Sequence, residues 1–254
     1  MVFFFCNSLF AENLNIQSKN ISIDKKTKLT VFETGVVAKD ARGNEFKTEY
    51  AEYDKNLRLL KSKDKTTILT SEGFFINGAD IIFDNKKNFI KSNKNAIVTD
   101  LEGNNIFLEK FEYSTLNKFF RSTGNIKIID SKNNSYNFSQ IYIDEVKREI
   151  IGTDVKAFLN EESMKINEKN KPRVFANTVN IKDEVTVFDK SVFTFCNYRE
   201  KDKCPPWSLQ ASQMKHDKNK KTIYYENALI KLYDFPIFYF PKLSHPDPTV
   251  DRRS

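Results

Sequence analysis

Glycine and proline are scarce in this sequence, seven of each, and histidine occurs only twice. With so few residues specialised for tight reversal, turns must come from Asn, Asp and Lys, and the segments DKKTK, DKN, DNKKN and DKNKK have that composition. His216 and His245 stand far apart, with no ligand cluster around either, so no metal is expected. There is no glycine-rich phosphate loop, nucleophile elbow or Ser/His/Asp arrangement, and acidic pairs such as Glu161-Glu162 fall in polar stretches where a solvated face is the default. An enzyme is not expected, nor a cofactor. No apolar run is long enough for a membrane-spanning helix.

What charge there is leans positive, with 41 Lys and Arg against 34 Asp and Glu over 254 residues. The excess is mostly Lys interleaved with Asn and Ile. It reads as a compositional bias or as attraction to an anionic ligand or membrane surface. Without an Arg cluster or a binding motif, nucleic acid is not an expected partner. The opening run MVFFFCNSLFA resembles the end of a secretory h-region, with Ala11 before Glu12 as the cleavage point, although a basic n-region is missing. A hydrophobic first strand is the alternative. Cys6 lies in that run; Cys196 and Cys204 flank NYREKDK in a loop-like segment. In an exported chain, loop cysteines point to disulfides, with each other or with cysteines elsewhere, and free buried thiols are the alternative.

The chain repeats itself. Gly43, Gly73 and Gly103 are thirty residues apart, as are Ser62, Ser92 and Ser122, and Tyr53, Phe83 and Tyr113. A looser fourth copy has Asn133 and Ile143 at the glycine and aromatic positions. Within each copy apolar residues alternate and then slip by one. Phe46 and Thr48 are followed by Ala51 and Tyr53, and Ile76 and Gly78 by Ile81 and Phe83. Ile106 and Leu108 precede Phe111 and Tyr113, and Tyr136 and Phe138 precede Ile141 and Ile143. In a flat strand that slip turns the second half to the wrong face; a bulge or bend restores it. The pattern predicts long strands bent at the middle, each followed by a turn and a shorter return marked by Leu59-Leu60, Phe89-Ile90, Phe119-Phe120 and Ile150-Ile151. A further set at the same period is Ala38, Ile68, Val98, Ile128 and Phe158.

No sustained helical periodicity competes with this. The fold class is all-β, a folded-over β-jellyroll of stacked, bent antiparallel strands built on a repeat of about thirty residues. Residues 159–172 read as a loop, and strand patterning resumes at Val174. The inward set Phe46, Tyr53, Ile76, Ile81, Phe83, Ile106, Phe111, Tyr113, Tyr136, Ile141 and Ile143 is either plain core or the lining of a hydrocarbon groove. An open edge is expected around Ile21 to Ile23 and Leu29 to Val31, where a partner's strand adds by β-augmentation. Near the other end, Phe235 to Phe240 is apolar on both faces and bounded by Pro236 and Pro241. The prolines of SHPDP are expected to suppress sheet pairing.

The stretch from Phe193 onward carries a resemblance. A cysteine followed by PWSLQA, then YYENA, PIFYFP and above all SHPDPTVDRRS look like the end of the periplasmic domain of the LPS-assembly (LptD, organic solvent tolerance) family. The thirty-residue repeats resemble the LptA/OstA-like jellyroll that precedes it, so the likeness covers nearly the whole chain. It implies lipopolysaccharide transport at the periplasmic face of the outer membrane. Acyl chains would be received from an LptA-like bridge protein and passed to a C-terminal β-barrel plugged by an LptE-like lipoprotein. On that likeness residues 1–11 are a signal remnant, 12–233 the jellyroll, and 234–254 the lead-in to a barrel that this sequence lacks. Phe238, Tyr239, Phe240, Pro246, Arg252 and Arg253 would mark the junction, with the two arginines at lipid-phosphate level. Cysteines of this domain bond to barrel cysteines in the family, which bears on Cys196 and Cys204. A free-standing bridge of LptA or LptC type is the rival reading, although it should lack the Trp207 and SHPDPT segments. A polysaccharide-active β-solenoid enzyme would need a recurrent carboxylate cluster, and the repeats carry none.

Overall fold

The computed structural model describes residues 14–160, 172–194, 206–247 and 250. Every regular element among them is a β-strand, and no described helix is long and apolar enough to cross a membrane. The chain divides into two compact units, one ending at Ile90 and the other beginning at Lys91.

In the first unit, β1 (Asn15–Gln17) and β2 (Asn20–Ile23) form one interrupted strand. β3 (Thr30–Lys39) and β4 (Glu45–Asp54) follow, then β5 (Leu59–Ser62) with β6 (Lys65–Leu69), and β7 (Phe75–Ala79) with β8 (Ile82–Asp84). β9 (Phe89–Ser92) carries the chain onward. Each bent strand lies antiparallel to the next: β1 and β2 on β3, β3 on β4, β4 on β5 and β6, β6 on β7, and β5 on β8.

The second unit repeats the plan. Its strands are β10 (Ala96–Thr99), β11 (Asn105–Leu108), β12 (Phe111–Ser114), β13 (Phe119–Ile129), β14 (Ser135–Asp144) and β15 (Glu149–Phe158). β16 (Arg173–Lys182), β17 (Val185–Thr194), β18 (Trp207–Asp217), β19 (Thr222–Leu232) and β20 (Phe235–Pro246) complete it. β11 and β12 both pair with β13, and from β13 to β20 each strand is antiparallel to its successor. The return strands are not shorter than the outgoing ones. β13 has 11 residues and β14 has 10, because each return strand also crosses the bend and supplies both halves.

The bend decides which residues are buried. Along β4 the inward set steps from Thr48 to Ala51, which restores the inner face after a change of parity. On the return strands the step is one residue longer, from Phe32 to Val36 in β3 and from Ser122 to Ile126 in β13, with a register shift at each. That extra residue is a bulge. Its backbone is left-handed at Thr34 and Gly35 in β3 and at Gly124 in β13. β15 has no such shift, so its inward set moves from Gly152 to Val155 and Ala157. Phe158, expected inside at the thirty-residue period, is therefore exposed and Ala157 takes its place.

Bending a ladder frees backbone groups, and unpaired buried ones are costly. The serines at thirty-residue spacing meet this need. Ser62 Oγ accepts the Ile81 N–H (2.9 Å), Ser122 Oγ donates to the Lys110 carbonyl (2.6 Å), and Ser92 Oγ accepts the Lys94 N–H (3.0 Å). Thr66 Oγ1 lies 2.7 Å from Ser62 Oγ, and both are buried. Among the described residues no buried side-chain nitrogen or oxygen lacks a partner.

The hairpin turns repeat as well. At one end Asp40, Asp100 and Asp130 each accept N–H groups of their own turn and hold an asparagine four residues on at 2.7 Å. Thr70 replaces aspartate in the second copy. The asparagine then reaches the following turn: Asn44 Oδ1 accepts the Ser71 N–H (2.9 Å), Asn104 that of Ser131 (3.1 Å) and Asn134 that of Asn160 (2.7 Å). Gly43 between them has φ +90°, which the side chains at Asp40 and Asn44 avoid adopting. At the opposite end the left-handed position also recurs every thirty residues, at Lys28, Arg58, Asn88, Lys118 and Arg148. The carbonyl there ties to the neighbouring turn, as Arg58 O does to Asn85 N and Lys118 O to Glu145 N, both at 3.0 Å.

Replacing buried Asn44 with alanine strands an Asp40 oxygen and the Ser71 N–H. We expect a loss of about 1–3 kcal/mol in urea unfolding. Lys127→Ala, on an exposed strand face, should stay within about 0.5 kcal/mol of the parent.

Candidate functional site

A β array with no helix must cover its own apolar face. Here the two halves of each bent strand cover one another. In the second unit, Leu209 and Ala211 before the bend of β18 share one cluster with Met214 beyond it, together with Val174, Tyr225 and Ala228. Trp207, Phe188, Phe193 and Phe240 pack around that cluster. The interior between the layers is the concave apolar space in which a ligand would lie.

Of the residues singled out from the sequence, Phe46, Ile76, Ile81 and Phe83 in the first unit are buried. So are Ile106, Phe111, Tyr113 and Ile141 in the second. Tyr53, Tyr136 and Ile143 are half-buried. Phe111 stacks on Phe120, ring centroids 6.1 Å apart. The Tyr136 hydroxyl reaches Asp130 (3.1 Å), and burial with that carboxylate pushes its pKa up. Burial likewise raises Tyr225, to about 12.

In the first unit Ala38, Phe46, Ile68, Phe83 and Ile90 surround a cavity of about 10 Å³, room for roughly one water. In the second, Gly152 is inward and the Phe138 ring lies 2.6 Å from where a Cβ would stand.

The first unit's edge strand is open among the described residues. β1 and β2 pair only with β3, and Ile21 and Ile23 lie on the inner face beside Phe32 and Thr30 with 60% and 69% exposure. Leu29 to Val31, expected at the same edge, does not share it. Thr30 and Val31 begin β3, which is paired on both sides.

Among the described residues the aromatic tail is an edge too, but not an unpaired one. Against the expectation that the SHPDP prolines stop pairing, β20 runs through Pro246, whose partner is Thr222. Proline's missing N–H costs nothing on the side of an edge strand that faces away from its neighbour. Pro241 falls at the bend, opposite left-handed Asn227. Phe240 packs inward, while Phe235 (76% exposed), Ile237, Phe238 and Tyr239 are exposed, with no cover on either face among the described residues.

Both histidines were passed over in the sequence, yet they stand in register across these last strands: His216 opposite Ile223, and Ile223 opposite His245. His216 Nε2 contacts the Asp247 carboxylate. His245 Nδ1 lies 2.7 Å from the Pro246 carbonyl, so it carries the proton, and Nε2 accepts from the Tyr225 hydroxyl at 3.0 Å. Among the described residues no group of three or more His, Cys, Asp or Glu could hold a metal. Cys196, Cys204, Arg252 and Arg253 lie outside the described residues.

No protein-family model matches the chain, and no curated protein is similar to it in sequence. Among solved structures it is similar to LptH from Pseudomonas aeruginosa, the LptA homologous periplasmic component of that organism's lipopolysaccharide transport device. The identity is 13%, the match covers 56% of this chain and 82% of that one, and the TM-score is 0.25.

Two expectations follow. Gly152→Ala should destabilise the second unit by about 1–3 kcal/mol, since Phe138 must leave its rotamer, and Phe138→Leu should recover part of that in calorimetry. Tyr225 is neutral when folded and ionises near pH 10 when unfolded. Its contribution to stability is therefore complete below about pH 10 and lost as pH rises toward about 12. Alkaline unfolding curves should steepen in that window, and Tyr225→Phe should flatten them; the absence of tyrosines titrating late in ultraviolet absorbance would contradict it.

Proposed function

We propose that this chain is a periplasmic module of lipopolysaccharide transport that holds acyl chains between the halves of its folded-over sheet. The observation that carries the reading is the interior of each unit: buried apolar residues recur on it at thirty-residue spacing, Phe46 and Ile76 in the first and Phe111 and Ile141 in the second. Each methylene withdrawn from water contributes about 0.8 kcal/mol. Because successive repeats within a unit offer near-equal surroundings, a lipid moves from one to the next there without a deep minimum. A lipid lying there would replace contacts between the halves with contacts to its own chains. Work for directed movement comes from a partner, since no nucleotide site was found in the sequence.

Within that class, the SHPDPTVDRRS and PWSLQA resemblance favours the LptD-type periplasmic domain over a free-standing bridge. On this reading the exposed β2 edge receives the last strand of an LptA-like bridge protein by β-augmentation. The aromatic β20 then faces an outer-membrane barrel and its LptE-like partner. Aromatic side chains exposed on both faces of one strand suit a position near a bilayer interface. Cys196 and Cys204 would take part in disulfides that couple the domain to the barrel.

A photo-crosslinking residue placed at Phe83, Phe111 or Tyr113 should capture lipopolysaccharide in cells, while one at Lys127 on the outer face should not. Equal labelling at inner and outer positions would leave the interior an ordinary core.

A further inference from the structure

A sheet folded along a line through mid-strand is closed at the bend and open where the hairpin turns lie. In the first unit, two rows of turns form the lips of that opening. One lip consists of turns 24–28, 54–58 and 84–88, which adjoin through the Arg58 carbonyl and Asn85 N–H. The other consists of turns 40–44 and 70–74.

The lips differ in charge. The first displays Lys25, Lys26 and Lys28, then Lys55 and Arg58, then Lys86 and Lys87, all exposed. Each turn also contains one aspartate, but its carboxylate is directed into the turn. Asp24 accepts the Lys26 N–H (2.8 Å), Asp54 those of Asn56 and Leu57 (2.9 and 3.0 Å), and Asp84 those of Lys86 and Lys87 (3.1 and 2.9 Å). None of the ion pairs among the described residues engages these Lys and Arg side chains. The other lip carries Asp40, Arg42 and Glu72 and has no such excess.

In the second unit some of the turn lysines do have acidic partners. There Lys147 pairs with Asp144 (3.0 Å), Lys218 with Glu184 (4.0 Å) and Lys220 with Asp217 (3.9 Å). The cations named in the first unit's row have no such ion pair. Consecutive turns on a lip are two strands apart, so the charges recur about every 10 Å along the opening.

Six of the seven cations in this row are lysines, which act as point charges and suit phosphate without selecting its geometry. What the row borders narrows the occupant. It runs beside an apolar interior whose inner-face residues Ile21 and Ile23 are uncovered, and Leu57, 56% exposed, projects from the middle turn. A ligand that satisfies both has apolar chains and anionic groups at one end. We propose that this cationic lip of the first unit receives the phosphate groups of a lipid whose acyl chains lie between the layers. The inference rests on the transport reading above and adds to it a headgroup subsite.

The test compares the full chain with a lip triple, Lys25→Glu, Lys55→Glu and Lys86→Glu, and a control triple on exposed strand faces, Lys61→Glu, Lys127→Glu and Lys156→Glu. Both change net charge equally. Capture of diphosphorylated lipid A, of the same lipid A after dephosphorylation, and of phosphatidylcholine vesicles containing phosphatidylglycerol is measured at fixed salt. The lip triple should lose about tenfold or more in affinity for the phosphorylated form alone, and the control triple should match the parent. Equal loss in both triples, or no loss in either, overturns the proposal, as does a loss confined to the vesicles. A parent chain that captures dephosphorylated lipid A as well as the phosphorylated form overturns the lip but spares the groove; one that captures neither overturns both.

Discussion

Each strand in this protein has to present apolar residues to the same side before and after a bend, and each bend has to leave no backbone group without a partner. Everything else follows from meeting those two requirements together. A change of parity in the outgoing strands, as from Thr48 to Ala51, and a bulged residue in the returns, as at Gly124, satisfy the first. The serines on the fold line, Ser62, Ser92 and Ser122, satisfy the second. A core that is apolar through most of its depth therefore carries a polar belt at its crease, where a hydroxyl stabilises more than a methyl would.

Much of this was legible in the sequence, for a physical reason. Glycine at a left-handed turn, serine at a crease and aromatic residues on the inner face are each chosen by a backbone or packing need that recurs unchanged every thirty residues. Gly43, Ser62 and Phe83 show the period because their roles leave little choice. The second row of left-handed turns was not legible. Lys28, Arg58, Asn88, Lys118 and Arg148 adopt that backbone without a residue type that announces it, and the turn aspartates (Ser114 in the turn of Lys118) and inter-turn hydrogen bonds hold them there. Phe158 was misplaced because a one-residue bulge present in β13 is missing from β15. Period alone cannot reveal a missing residue whose only trace is a change of face.

The candidate site was legible in its lining and not in its rim. Alternation identifies which side chains turn inward, so Ile81, Phe111 and Ile141 could be picked out without coordinates. Charge along the lips is visible only once alternate turns are assigned to opposite ends of the strands. In sequence, the lysines of the first unit look like the scattered basic residues of a biased composition. The last strand was misread for a related reason. Three prolines argue against an interior strand but say little about an edge, and β20 is an edge.

The asparagine ladder has a mechanical consequence. Asn44 holds only the turn that follows it, and Asn104 and Asn134 do the same in their own places. Such an array has no keystone. Its cooperativity is that of a zipper, in which each rung is secured by its immediate neighbours and the terminal rungs by one neighbour only. Layers can then separate over one or two repeats while the rest stay closed, and the gap can travel along the array without the whole molecule loosening. Within each unit, an array assembled in this way is compliant across its seam.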